Sequence, residues 1–189
     1  MKNYKSNQSF FSISLSFICL LVAGFIVYAQ TPPKNETETV PERLRYFKEK
    51  YEENYQTNFD EVWNAVQKFI EEQKCDIETN RIRENDIGKQ RGVCKSTLCI
   101  FAHGKDSTFR LIQRYALNPP FIRGGVWTSG RAQYRFIVND LGEDNVNVVL
   151  TTELSGFEEH ATFKTHFFNS NGLLEFLAFE RLNLLINNQ

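Results

Sequence analysis

From Asn171 to Ile186 the chain places apolar side chains almost all the way round a helical projection, interrupted only by Glu175, Glu180, Arg181 and Asn183. Such a helix cannot lie on a surface with one stripe down; it needs cover on most sides. It is too short to span a bilayer, so the cover must come from protein. Upstream, successive segments alternate apolar and polar residues, as strands do that bury one face and wet the other. Together these features predict an α+β fold in which a curved antiparallel sheet packs around the C-terminal helix.

The segments before that helix fill in the rest. Thr39 and Glu42 have the spacing of a capping box with Pro41 in the first turn, so a charged helix is predicted to about Glu53. Leu44, Phe47, Tyr51 and Tyr55 would share one side of it. A second, amphipathic helix opens at Asn58, a capping residue followed by Asp60 and Glu61 at its positive end. Phe59, Val62, Trp63, Val66, Phe69 and Ile70 recur at helical spacing, which makes Trp63 a core anchor.

Beyond Lys74 the period becomes two. Strands are predicted at Cys75–Thr79, near Val93 after a turn over 86–92, at Leu98–Ala102 as a central strand, and over 108–115. Asn118, Pro119 and Pro120 then break the ladder. In the next strand Ala132, Tyr134, Phe136 and Val138 point inward while Arg131, Gln133 and Arg135 point out. A turn at Leu141–Asp144 leads to Val146, Val148, Leu150, Thr152 and Leu154 on the same inner face. A last strand is predicted with Ala161, Phe163, Thr165 and Phe167 inward and His166 on the wet side. Ser170 or Asn171 would cap the terminal helix.

Met1 to Ala29 reads as a signal peptide: Lys2 and Lys5, an apolar run from Phe10 to Ile26, and a cleavage-like Val27, Tyr28 and Ala29. Uncleaved, the same run would be the protein's one membrane anchor. The domain reading is therefore a signal peptide over 1–29, a flexible linker over 30–38, and a single α+β domain over 39–189 with its core in 55–187. The body of the protein would be exported, to a periplasm, an outer envelope or the medium. Past residue 30 there remain 20 basic against 23 acidic groups, without the electropositive footprint of a nucleic-acid binder. Of four cysteines Cys19 lies in the leader, and in an oxidising compartment the other three yield one disulfide and one thiol. Cys94 with Cys99 is the first choice, closing a short hairpin; Cys75 with either is the alternative.

Chemistry-bearing patterns are few. The glycine-rich stretch from Pro120 to Arg131 permits close backbone approach, and Arg123 and Arg131 beside its amides could hold an anion. It has two readings. One is a bulged connection plugged by Trp127; the other is a ligand site drawing on Arg123, Trp127, Arg131 and Tyr134. His103, His160 and His166 lack metal-site spacing, and Ser129 and Ser155 lack the nucleophile elbow. No catalytic residue, metal or other cofactor is assigned.

From Thr57 to Ile186 the layout of amphipathic helix, antiparallel sheet and terminal helix resembles the helix-grip superfamily. The stretch from Asn58 to Val66 is similar to the opening helix of its START/Bet v1-like binding proteins and of BamC-like bacterial envelope domains. That resemblance implies no fixed catalytic set. The expectation is an exported, non-catalytic binding or assembly module with an envelope protein as partner. The alternative is a carrier that holds a hydrophobic small molecule or lipid between sheet and last helix. A cyclase or hydrolase would need polar groups inside, where the inward positions offer mainly Tyr134 and Thr152.

Overall fold

Phe59–Glu72 forms helix α1, and its start follows from local chemistry: the Asn58 side chain accepts the Glu61 N–H at 2.9 Å, and Asp60 and Glu61 occupy the first turn. The predicted face is the buried face, with Val62, Val66 and Ile70 fully enclosed. Each such side chain is worth about 1.5–3 kcal/mol relative to exposure. This is a computed structural model that describes residues 44–105 and 107–188. The leader, the linker and the capping box at Thr39 and Glu42 lie outside the described residues. The described part belongs to one compact unit, Val40–Gln189.

The remaining elements are strands β1 (Tyr51–Tyr55), β2 (Ile77–Glu84), β3 (Gln90–Ser96), β4 (Cys99–His103), β5 (Trp127–Gly142), β6 (Asn145–Glu158) and β7 (Lys164–Asn169), and helices α2 (Thr108–Tyr115) and α3 (Leu173–Asn187). The strands make one antiparallel, seven-stranded sheet that does not close, in the order β1-β6-β5-β3-β2. β4 continues beside β5 beyond the end of β3, and β7 continues beside β6 beyond the end of β1. The long hairpin β5–β6 is the spine. Its inner residues Ala132, Tyr134, Phe136, Val138, Val146, Val148, Leu150 and Leu154 are buried as the alternation predicts. They share one core with α1, α2 and α3. Phe69 of α1 stands edge-on to Tyr134 and Phe136 at 5.3 and 5.6 Å.

Several expectations are corrected. Tyr51–Tyr55 is not helical: Tyr51 and Tyr55 fit a helical turn and a strand alternation alike, and the free edge of β6 claims them, with Tyr51 opposite Leu150 and Tyr55 opposite Val146. Thr108–Tyr115 is a helix, because Thr108, Ile112 and Tyr115 lie one turn apart and bury together while Arg110, Gln113 and Arg114 stay out. β4 pairs only with β5, so it is an edge strand; its Ile100 is 58% exposed. In β7 the register is one residue from that predicted. Phe168 is buried, His166 is half-buried against Trp127, and Phe167 is 76% exposed. A one-residue slip turns every side chain over, and it originates in the Glu158–Phe163 turn, where Phe163 takes a φ of 53°.

The disulfide joins Cys75 to Cys99, with Cα atoms 5.1 Å apart, and leaves Cys94 free and buried. The preferred Cys94–Cys99 pairing fails on topology. Cys94 lies opposite Phe136 and Cys99 opposite Ala132, four positions along β5, hence about 13 Å. A disulfide spans at most about 7 Å between Cα atoms. There is no hairpin between them: the chain runs on from β3 into β4. Backbone and side-chain bonds between Asp76 and Thr97 bring Cys75 to Cys99 instead.

Helix α3 is less enclosed than its sequence predicts. Leu174, Ala178, Phe179, Leu182 and Leu185 are buried, but Phe176, Leu177 and Leu184 remain exposed, with the Tyr46 ring tilted against Phe176 at 4.9 Å. Its cap is Gly172, at φ 89°, rather than Ser170 or Asn171. A Cβ there would collide with the Tyr46 carbonyl and the Tyr51 hydroxyl. Among the described residues no helix is long and apolar enough to cross a membrane.

Candidate functional site

Helices α1, α2 and α3 share the core side of the sheet, and among the described residues no helix lies over the surface formed by the residues that alternate to its other face. Strand register decides what gathers there. Arg83 lies opposite Arg91, Arg81 opposite Val93, and Lys95 is flanked by Thr79 on β2 and Arg135 on β5. The result is a trough of about 450 Å³ lined by Thr79, Arg81, Arg83, Arg91, Val93, Lys95 and Arg135. Lys95 is paired with Glu78 at 3.0 Å, and Gln133 donates to the same carboxylate. Arg81, Arg83, Arg91 and Arg135 form no ion pair among the described residues.

Two of these contacts set like charges directly across from one another, Arg83 against Arg91 and Lys95 against Arg135. Folding alone disfavours this, since such pairs destabilise a sheet by some tenths to about 1 kcal/mol. Arginine suits recognition of carboxylate or phosphate, because its planar fork donates two parallel hydrogen bonds to one acceptor group. The cations are spread along about 13 Å of the sheet, Arg83 and Arg91 at one end, Lys95 and Arg135 at the other, and Arg81 between them beside Val93 and Ile137. The site can therefore bind an extended anionic ligand.

The residues singled out from sequence do not meet. Arg123 is exposed in a turn. Trp127, 3% exposed, is a core residue stacked on Phe109 at 5.9 Å and against Phe168 at 5.7 Å. Tyr134 is buried beneath α1, and burial pushes its hydroxyl well above the usual tyrosine range. Arg131 lies on the open face, beyond the trough, its buried Nε without a hydrogen-bond partner. Of the outward cations predicted from alternation only Arg135 belongs to the trough. Arg81, Arg83, Arg91 and Lys95 escaped notice because β2 and β3 are short of apolar residues and their alternation is faint.

Two buried carboxylates complete the inventory. Glu158 accepts backbone N–H bonds from Val126, His160, Ala161 and Thr162 at 2.5–2.9 Å, and the Thr162 hydroxyl at 2.7 Å. Those donors outweigh burial and hold its carboxyl far below the ordinary range. It ties the turn after β6 to the start of β5, a structural task. Glu175, in the first turn of α3, is 1% exposed, and burial raises its pKa against the opposing bond from Ser170 Oγ at 2.6 Å. It backs a cavity of about 190 Å³ also lined by Tyr51, Leu150, Thr152 and Ser170, where β6 is left bare between the start of β1 at Tyr51 and the end of β7 at Asn169. Thr152 Oγ1 is buried there without a partner. Among the described residues no group of three or more metal-ligating side chains occurs.

Comparison with protein-family models, curated proteins and solved structures yields no match.

Proposed function

We propose that the protein is an exported, non-catalytic binding or assembly module whose working surface is the open face of its sheet. The observation that carries this reading is the set of four arginines that among the described residues have no acid partner, two of them directly opposed across strands, on the face away from α1, α2 and α3. A cluster that costs the fold stability and performs no packing is best explained by an anionic partner that neutralises it. Export is supported by the signal-like residues 1–29 together with the Cys75–Cys99 disulfide, which suits an oxidising compartment. The order of amphipathic helix, antiparallel sheet and terminal helix is what supports the helix-grip likeness. The carrier alternative finds less support, because Phe69, Trp127, Tyr134 and Phe136 occupy the space between sheet and helices.

The test is a photocrosslinking residue placed at Val93 in the trough or at Glu180 on the exposed side of α3, in the producing cell. The expected result is a discrete conjugate from position 93 only, abolished by Arg83→Glu with Arg135→Glu. Equal labelling from both positions would refute this reading. So would a lipid-sized non-covalent adduct in native mass spectrometry that the double reversal leaves untouched.

A further inference from the structure

The trough runs out at a strand whose far edge is unpaired. β2 bonds only to β3, and among the described residues no backbone group bonds to its other side. At eight residues it is longer than the other outer strands, β1, β4 and β7, and it contains no proline. Its irregularity is confined to Ile77–Thr79, leaving Asn80–Glu84 regular. Proteins commonly blunt such edges with bulges, proline or brevity, because alternate N–H and C=O groups point outward as a template for another strand. Here the edge is left usable, with Arg81 and Arg83 on the open face; of the strand's two acids Glu78 is already paired with Lys95 and Glu84 ends the strand on the other face.

We infer that this edge receives an extended acidic segment of a partner protein, which adds beside β2 as a further antiparallel strand. The inference rests on the open-face reading above and names its partner's chemistry. Main-chain hydrogen bonds would supply affinity and alternate side chains the choice of partner. On the open face the incoming residues flank Thr79, Arg81 and Arg83 at one strand spacing, so carboxylates there meet guanidinium groups that have none among the described residues. On the other face they flank Asn80, Ile82 and Glu84, Ile82 being 46% exposed and next to the ring of Trp63 over Gly92. The recognised pattern is thus acid alternating with apolar or small polar residues. Two copies of this chain joined edge to edge would bring arginines together, so the charge that selects the partner also discourages self-pairing.

The test uses the full oxidised chain and a fluorescent octapeptide alternating Glu and Val. Two controls accompany it: the same peptide N-methylated at alternate amides, and inorganic tripolyphosphate. Expected are saturable anisotropy, slowed amide exchange over 80–84, and at least a tenfold affinity loss on N-methylation. A similar loss is expected for Arg81→Ser with Arg83→Ser, two exposed positions whose replacement should not lower the thermal transition, since removing Arg83 relieves its repulsion with Arg91. If the methylated peptide binds equally and exchange at 80–84 is unchanged, strand addition is overturned while the trough stands as a general polyanion site. If neither peptide nor tripolyphosphate binds, the open-face reading falls with it.

Discussion

Replacing Arg91 by Gln should make the protein more stable and a worse binder. Arg91 and Arg83 face each other across β2 and β3, where Cα atoms are about 4.5–5.5 Å apart. If the guanidinium groups splay to about 7 Å in water, Coulomb's law leaves about 0.6 kcal/mol of repulsion. That agrees with the cost of like-charged cross-strand pairs. For a domain of this size it amounts to a rise of about 1–2 °C in Tm. Arg135→Gln should yield less, because the opposing Lys95 is already compensated by Glu78. Thermal unfolding followed by circular dichroism at low salt would resolve the order. At about 1 M salt, where the Debye length is about 3 Å, both gains should disappear. If Arg91→Gln is no more stable than the wild type at low salt, or its gain persists at high salt, the trough is not under electrostatic strain. The functional argument then loses its physical basis.

Three further outcomes probe the frame. Gly92→Ala should cost about 1–3 kcal/mol in urea denaturation, since its Cβ would fall under 3.0 Å from three ring carbons of Trp63; the loss should shrink in a Trp63→Leu background, and plain additivity would show that the ring is not seated there. Glu175→Gln tests a buried acid whose folded pKa is raised: the native state holds the extra proton, so wild-type stability should fall as pH rises through the interval above the ordinary carboxylate value. The variant should lose that slope and be at least as stable at pH 7; a flat wild-type profile with a weaker variant would contradict the assignment. Cys75→Ser opens a link between residues 24 apart and should cost about 3 kcal/mol. In the wild type Cys94, buried and with its thiol pushed up to about 11, should resist alkylation; a Cys94–Cys99 peptide in a non-reducing digest would refute this pairing.

The sequence disclosed those parts of the fold whose information is local and redundant. The face of α1 repeats its apolar spacing over about three turns, and the β5–β6 hairpin repeats alternation on both arms, so neither depends on anything distant. Tyr51–Tyr55 and Thr108–Tyr115 are too short for one period to exclude the other. In each, tertiary neighbours chose: the free edge of β6 for the first, the Trp127 and Gly156 end of the sheet for the second, where Ile112 packs. β7 slipped by one residue because Glu158 collects five donors and fixes the turn before it. An isolated glutamate gives no sign of that in sequence.

The trough was illegible for a deeper reason. Its cations come from three strands, and each reads in its own segment as an ordinary solvated charge. Only the pairing of Arg83 with Arg91 and of Lys95 with Arg135 turns them into a conflict. Register is set by the buried partners, Cys94 against Phe136 and Gly92 beneath Trp63, on the opposite side of the sheet. A substitution that relieved the charge would leave those inner contacts intact, so packing offers no reason to keep four arginines where they repel. On the reading proposed above, what keeps them acts on the outer face, where a partner bearing the opposite charge would neutralise them.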